Sequence, residues 1–342
     1  MIVDNLMKSI ERGKQGLNVG LSTGLPAFDT LTFGVQRKWF TVVSGDSGSG
    51  KSSLTLYSYI YQPFKQYLQN PNIDLHFLIF SFEMSAEVLL AKLLSLHLYE
   101  EYDKVLSYGQ ILSLTDTLSE GDYALIQLSK PWLEQFEALC TIIDKPVTAK
   151  GLYAVCKEWS RNFGTYKEVE TDAGYTREEY IPNNPEQYLI VTVDHIKLLS
   201  LGQGHTAKQE IDEACDYLIS FRNKCGFTVT VVQQFNRNFK SNERRSGDTY
   251  LPGLEDLSDS SGPAQSAETV ITIYFPFREK KVKCEGYDIR QMKDRARLLI
   301  VAKNRFGMPD KMVMTSFFGE NNLWKELPAP DKISDYEQYI KL

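Results

Sequence analysis

The sequence predicts an α/β fold in which helices flank a mostly parallel, twisted sheet. From residue 39 onwards, short apolar runs rich in β-branched residues recur along the chain, and segments with a helical period separate them. Because these runs are apolar throughout rather than alternating, they are typical of strands buried on both faces, as in a parallel sheet. With 42% hydrophobic and 24% charged residues, the composition is that of a globular protein.

The individual elements follow from these patterns in chain order. A short amphipathic helix is predicted over 3–12, and a second short helix after Pro26. The predicted strands are 39–44, 75–82, 139–144, 188–194, 227–232, 270–275 and 296–303. The predicted longer helices are 51–67, 86–99, 121–136, 148–162 and 208–225.

Two polar stretches interrupt the alternation. Residues 164–187 contain Gly174 and Pro182 between β-prone residues, which indicates an inserted hairpin or a mobile loop. Residues 236–262 form a second long polar segment. We therefore predict an N-terminal linker helix with a Gly-rich joint (1–19), a core (20–325) that contains the insertion, and a C-terminal tail (326–342).

The charge balance excludes a basic coat over the whole chain. Lys and Arg number 38 and Asp and Glu 44, a net charge of −6, so contact with a polyanion requires a local basic patch. The five cysteines form no CxxC pair, which argues against a disulfide framework or a zinc ribbon. No apolar run reaches the ~20 residues of a membrane span. We expect a cytoplasmic protein with no membrane partner, in a bacterium or, if the chain is viral, in the host cell.

Residues 45–53 carry a phosphate-binding pattern. The pattern G-x-x-x-x-G-K-[ST] is matched at every fixed position by Gly45-Asp46-Ser47-Gly48-Ser49-Gly50-Lys51-Ser52, and Ser53 completes the predicted ATP site. The glycines let main-chain N–H groups point at phosphate oxygens, and the next helix directs its positive N-terminus at the same anion. Lys51 is predicted to reach the phosphates and Ser52 to bind Mg²⁺. A turn that binds nothing is the alternative, but the strand before the pattern and the helix after it favour a P-loop.

Two acidic residues follow apolar strands. Asp194 ends the fourth predicted strand, at the sheet edge where α/β proteins bind ligands, and is the expected second Mg²⁺ ligand. Glu83 follows the second strand, where a carboxylate near Lys51 can orient or deprotonate an attacking water. Each has a simpler alternative: a surface residue at a strand end for Asp194, and an acid that complements a helix dipole for Glu83.

Several segments together resemble the DnaB-type hexameric replicative helicases, which have a RecA-like core. Besides the P-loop, the chain is similar to the family's S-[LF]-E-M-S, Walker B, S-Q-L-N-R and K-x-R-x-G elements. The similar segments are Ser81-Phe82-Glu83-Met84-Ser85, Val193-Asp194-His195-Ile196-Lys197-Leu198-Leu199, Gln233-Gln234-Phe235-Asn236-Arg237 and Lys303-Asn304-Arg305-Phe306-Gly307. The family's D-L-R-E-S-G loop, which lines the DNA channel, is resembled by Leu257-Ser258-Asp259-Ser260-Ser261-Gly262. The order and approximate spacing agree over residues 20–325.

The resemblance implies an ATP-dependent helicase that translocates on single-stranded DNA during replication. ATP, with Mg²⁺, would be hydrolysed between the subunits of a homo-oligomeric, hexameric ring. Glu83 would be the catalytic base and Gln234 the sensor of the γ-phosphate. Arg305 would be the arginine finger that reaches the neighbouring subunit's ATP, with Lys303 beside it. Primase or a helicase loader is a further candidate partner.

The chain departs from the family pattern in three places. We find no match to the family's N-terminal helical domain, which collars the ring. Ser258 stands where the DNA loop has Arg, and the insertion at 164–187 is longer than the family leads us to expect. Residues 3–12 would at most be the linker helix that docks on an adjacent subunit.

Basic residues in the polar segment are the candidate DNA contacts. By composition alone a solvated charged loop is the favoured interpretation, and the helicase resemblance reverses that preference. The candidates are Arg237, Lys240, Arg244 and Arg245, together with Ser261 and Gly262 of the matched loop. A second basic cluster over 280–297 is interpreted as an exposed hairpin between two strands.

Two other functions stay open on the sequence. A RecA-like ATPase of recombination or repair, or one that loads helicases, shares the P-loop, Glu83 and Asp194 but does not separate strands. A nucleotide-binding scaffold that uses ATP only to assemble would not release phosphate in response to DNA.

Overall fold

One large sheet forms the centre of the structure, a computed structural model that describes residues 2–114, 116–170, 174, 176–236, 250–257 and 262–342. Its order is β13-β12-β11-β8-β1-β7-β6-β2-β3. The strands are β1 (Phe40–Gly45), β2 (Leu75–Ser81), β3 (Cys140–Ile143), β4 (Gly164–Glu170), β5 (Thr176–Pro182), β6 (Tyr188–Asp194), β7 (Phe227–Gln234), β8 (Thr269–Tyr274), β9 (Lys283–Cys284), β10 (Tyr287–Asp288), β11 (Ala296–Asn304), β12 (Lys311–Phe318) and β13 (Leu323–Glu326).

Most of the sheet is parallel, as predicted. Strands β8, β1, β7, β6, β2 and β3 run in one direction, and β11, β12 and β13 extend the sheet with antiparallel pairing. The α/β prediction is therefore confirmed. The sequence patterns do not reveal β12, because Thr315 and Ser316 interrupt its apolar run although both are buried.

Helices cover both faces of the sheet. They are α1 (Ile2–Lys14), α2 (Pro26–Thr32), α3 (Lys51–Thr55), α4 (Gln62–Gln69), α5 (Ala86–Tyr102), α6 (Tyr108–Ile111), α7 (Glu120–Leu128), α8 (Lys130–Leu139), α9 (Ala149–Ser160) and α10 (Ala207–Cys225), followed by short helices at Gly262–Ser266, Ile289–Met292 and Glu337–Ile340. A π-helical turn, Leu56–Tyr61, joins α3 to α4 without a break. The single helix predicted over 121–136 is two helices, because Pro131 lacks the N–H that a continuing helix needs and so starts α8.

The core lies on both faces of the sheet. Adjacent strand residues point to opposite faces, so Val43 and Ile79 pack with the P-loop helix and α5. Val42 and Leu78 pack on the other face with α9 and α10. Burial on both faces explains why these strands are apolar throughout.

Two elements extend from this core. Strands β4 and β5 form an antiparallel hairpin from Gly164 to Pro182. Helix α1 lies at the surface, where Ile2, Leu6 and Ile10 form an apolar stripe whose members are at least half exposed. The division of the chain into linker, core and tail stays a prediction.

Over the described ranges, we find no helix that combines the length and the apolar character required to cross a membrane.

Candidate nucleotide-binding site

The P-loop joins the carboxyl end of β1 to α3. Gly48 and Gly50 have positive φ angles, +73° and +100°, which few residues other than glycine adopt. At Gly50 an added Cβ would also lie 2.8 Å from Cζ2 of Trp324. Conformation and space together therefore require glycine here, and the loop wraps around the N-terminus of α3.

Lys51 lies at the start of α3 with its amine directed back at the loop. Its Nζ donates to the main-chain oxygen of Asp46 at 2.9 Å, and the residue is only 7% exposed. Burial lowers the pKa of Lys51, while the negative charges of Asp194, Glu83 and Asp46 oppose that shift. A buried ammonium held by one carbonyl is well suited to bind phosphate oxygens.

Asp194 lies beside the P-loop at the end of β6. The Ser52 side chain hydrogen-bonds its carboxylate, and burial raises the pKa of Asp194 to about 6, an effect that Glu83 reinforces and that Ser52, Lys51 and Lys92 oppose. Within the described residues, Oδ1 of Asp194 is buried without a hydrogen-bond partner. A hydroxyl and an unpartnered carboxylate oxygen are hard donors of the kind that Mg²⁺ prefers. These two side chains therefore fit a magnesium ion.

A cavity of about 240 Å³ opens over the P-loop and brings the predicted residues together. Glu83 and Gln234 both line it, although they follow different strands. Gln234 pairs with Gly45 between β7 and β1, which fixes it next to the first P-loop residue. The full lining is Ser47, Gly48, Gly50, Lys51, Ser52, Ser53, Glu83, Lys92, Gln234, Phe317, Gly319 and Asn322.

The Gln234 side chain lies beside the ring of His195, the residue that follows Asp194. Burial lowers the pKa of His195 to about 4, and the charges of Lys51 and Lys197 add to this shift. Nδ1 of His195 accepts the main-chain N–H of Lys197 at 3.1 Å. The ring is therefore neutral at pH 7, with its hydrogen on Nε2.

Two aromatic residues in the wall of the site are not found by the sequence patterns. Phe317 lines the cavity and stacks on Trp324, with ring centroids 4.6 Å apart. Trp324 Nε1 donates to the Ser53 hydroxyl at 3.4 Å. These rings come from β12 and β13, so only the three-dimensional pairing of those strands brings them to the P-loop.

Two arginines hold the P-loop from the side. Arg297 Nε donates to the main-chain oxygen of Ser49 at 2.9 Å, and Arg278 donates to that of Ser47. Arg297 is buried, which lowers its pKa to about 9. The interpretation of 280–297 as wholly exposed is therefore wrong for Arg297. Arg297 lies in β11 on the same face of the strand as the buried Leu299 and Val301, because every second residue of a strand points the same way. This spacing is the signal in the sequence that would have predicted a buried Arg297.

Arg305 and Lys303 lie at the amino ends of the parallel strands, whereas the P-loop lies at the carboxyl ends. The main-chain N–H of Arg305 bonds Glu268, whose own N–H bonds Phe40 at the first residue of β1. The P-loop leaves the other end of this six-residue strand, about 16 Å away at ~3.3 Å per residue. Lys303 donates to the main-chain oxygens of Ala264 and Gln265, at 2.8 and 2.7 Å. Neither residue is near the P-loop of the same chain.

The predicted DNA contacts are placed only in part. Gly262 begins the short helix Gly262–Ser266, whose last carbonyls accept from Lys303 and Arg222. The other candidates, which lie outside the described residues, are Arg237, Lys240, Arg244, Arg245 and Ser261.

A mostly parallel sheet with a P-loop after β1, and with a carboxylate suited to bind Mg²⁺ at the end of β6, defines a P-loop protein with a RecA-like core. The chain belongs to the family of the DnaB-like helicase C terminal domain, whose model matches residues 20–129 and 176–325. This is a family of replicative helicases. The match leaves out residues 130–175, which include α8, β3, α9 and strand β4 of the hairpin.

Two solved structures share the fold. The chain is similar, at 18% identity and a TM-score of 0.69, to a solved ATPase domain, with 96% of this chain and 99% of that chain covered. It is also similar, at 16% identity and a TM-score of 0.68, to a DnaB-like replicative helicase studied with its interactions with primase. This second match covers 95% of the present chain but only 66% of the helicase chain. No curated protein sequence matches the chain significantly.

Proposed function

We propose that this chain is the motor of a ring-shaped DNA helicase that hydrolyses ATP between subunits and translocates on single-stranded DNA. The observation that carries the proposal is the position of Arg305, at the edge of the sheet away from its own P-loop. An arginine finger at that edge serves only a nucleotide held by a neighbouring subunit. Membership of the replicative helicase family supports the same arrangement.

One subunit would supply the pocket that binds ATP. The P-loop N–H groups and Lys51 bind the phosphates, and Ser52 and Asp194 hold Mg²⁺, which supplies charge neutralisation at the phosphates when it is bound. Glu83, which is exposed to the cavity, orients and deprotonates the attacking water. Ser53 completes the loop. The next subunit supplies Arg305 to the phosphate charge that develops during hydrolysis.

Gln234 would link nucleotide state to DNA. It lines the phosphate cavity at the end of β7, and three residues later the chain enters 237–249, which holds the proposed basic DNA contacts. A change in the Gln234 contact to the γ-phosphate therefore acts directly on the start of that segment. Release of counterions from DNA by these basic residues would make binding weaker at high salt.

The wider assembly is part of the same proposal. The exposed apolar stripe of α1 is suited to dock on an adjacent subunit of a hexameric ring. Primase or a loader would be a further partner, and the protein would act in the cytoplasm, of a bacterium or of a virus-infected cell.

Unwinding of a forked DNA duplex tests the proposal. The full chain should separate the strands with ATP and Mg²⁺, and Lys51→Ala and Arg305→Ala should each abolish both unwinding and DNA-stimulated phosphate release. DNA-stimulated hydrolysis without strand separation would instead indicate a recombination or loading ATPase. Nucleotide binding with no phosphate release would indicate an assembly scaffold, and either result contradicts the proposal.

A further inference from the structure

Glu268 fastens Arg305 to its own subunit at two points. The main-chain N–H of Arg305 donates to the main-chain oxygen of Glu268 at 2.8 Å. The guanidinium donates from Nη1 to Oε1 of the Glu268 carboxylate at 2.9 Å. The base and the head of the Arg305 side chain are thus both tied to a single residue.

The Glu268 carboxylate is itself fixed from two other elements. Arg222, in the last turn of α10, donates from Nη1 to both carboxylate oxygens at 2.9 and 2.7 Å. The main-chain N–H of Phe40, at the start of β1, donates to Oε2 at 2.8 Å. The Glu268 side chain is only 6% exposed, so water does not compete for these bonds. The carboxylate therefore has one orientation.

This cluster keeps a positive charge at the surface. Two guanidinium groups, from Arg222 and Arg305, share one carboxylate, and the Lys303 amine lies close to both Arg305 and Glu268, so positive charge is in excess. Arg222 is largely buried, whereas the Arg305 side chain is 46% exposed. The excess charge is thus presented to the outside on Arg305, in a fixed position, where a neighbouring triphosphate can meet it.

We propose that Glu268 is a positioning residue for hydrolysis, which holds Arg305 in the orientation that the neighbouring subunit's triphosphate requires. An arginine has several rotatable bonds, and holding it in advance removes the entropic cost of ordering it in the transition state. The inference rests on the proposed function, because it gives Arg305 a role in trans. Nothing in the sequence motifs singles out Glu268.

The first test is the steady-state hydrolysis of ATP by full-length Glu268→Gln in the presence of single-stranded DNA. This change keeps the shape of the side chain and removes its charge. We expect kcat to fall about tenfold or more while KM for ATP changes by less than about threefold, since the binding pocket is untouched. Glu326→Gln is the matched control, because that carboxylate also accepts main-chain N–H groups, from Ala27 and Phe28, and lies on β13, two strands from β11.

The second test separates a finger defect from a folding defect. Mixed rings of Glu268→Gln with Lys51→Ala should regain hydrolysis, because the first variant keeps an intact P-loop and the second an intact finger. Loss of fold would not be repaired in this way. If Glu268→Gln does not fold, Glu268→Asp, which keeps the charge but shortens the reach, takes its place and should show a smaller fall in kcat.

The outcomes distinguish this inference from the proposed function. Full activity of Arg305→Ala would overturn the proposed function, and this inference with it. An inactive Arg305→Ala together with a normal or raised kcat for Glu268→Gln would overturn only the positioning role, and a raised kcat would show that Glu268 restrains the finger instead. Rescue of Arg305→Ala but not of Glu268→Gln by Lys51→Ala would also overturn it.

Discussion

At the scale of single residues, the P-loop needs glycine at position 50, because a larger side chain there would collide with the Trp324 ring. Gly50 combines a φ of +100° with close contact to the ring of Trp324, which also bonds Ser53 and stacks on Phe317. The indole of Trp324 therefore packs against the P-loop and supports its conformation. The motif shows that glycine is needed at this position, but the reason comes from β13, 274 residues further along the chain (324 − 50).

Gly50→Ala should lower both stability and nucleotide affinity. The left-handed conformation alone costs an alanine roughly 1–2 kcal/mol, and the contact with Trp324 adds displacement of the loop. Gly204→Ala is the matched control, since Gly204 has a similar conformation, with φ +78°, and open space around its Cβ position. Urea unfolding should show a larger loss for Gly50→Ala than for the control, and titration with ATP should show weaker binding only for Gly50→Ala. Equal losses and equal affinities would show that Trp324 does not support the loop.

At the scale of elements, the base of the β4–β5 hairpin packs on the core. Tyr180 is buried there, its hydroxyl donates to the main-chain oxygen of Ser160 at 2.9 Å, and its ring meets Tyr166 edge to face. The strand positions further out, such as Glu168 and Glu179, are exposed. The hairpin is therefore a surface projection with two tyrosines at its base, since the Tyr166 hydroxyl also lies 2.7 Å from the Ser160 hydroxyl and 3.3 Å from Cys225 Sγ.

Tyr180→Ala should destabilise the protein by about 3 kcal/mol, the usual cost of removing a buried aromatic ring. Tyr180→Phe, which keeps the ring but removes the hydroxyl and its hydrogen bonds to Ser160 and Gln187, should cost about 1 kcal/mol. Glu168→Ala, near the tip, should leave the free energy of unfolding almost unchanged. Urea denaturation of the three variants measures these differences. A Tyr180→Ala variant as stable as the wild type would show that Tyr180 does not anchor the hairpin to the core.

Some of these elements are predictable from the sequence and others are not. The parallel strands and the P-loop are predictable because their signals are local: apolar runs, and a fixed spacing of Gly, Lys and Ser. The side chains that pack around the P-loop are not predictable in this way, since Phe317, Trp324 and Arg297 reach the loop only through the antiparallel pairing of β11, β12 and β13. The roles proposed for Glu83 and Gln234 agree with their place in the cavity but stay predictions.

At the scale of the whole molecule, the residues proposed to act in hydrolysis form two groups at opposite ends of the parallel strands. The P-loop and Asp194 lie at the carboxyl edge of the parallel strands, and Arg305 with Glu268 lies at the amino edge. A single chain therefore has a nucleotide pocket at one end of the strands and the proposed finger at the other. Repeated head to tail with a rotation that closes, such a unit would form a ring in which each subunit would complete the pocket of its neighbour.

The most direct test of this account is subunit complementation between Lys51→Ala and Arg305→Ala. Each variant alone should assemble but hydrolyse almost no ATP in the presence of single-stranded DNA. An equal mixture should recover about a quarter of the wild-type rate, because half of the P-loops are intact and half of their neighbours carry the finger. A mixture as inactive as its two components, with both shown to assemble together, would contradict the account, as would full activity of Arg305→Ala alone.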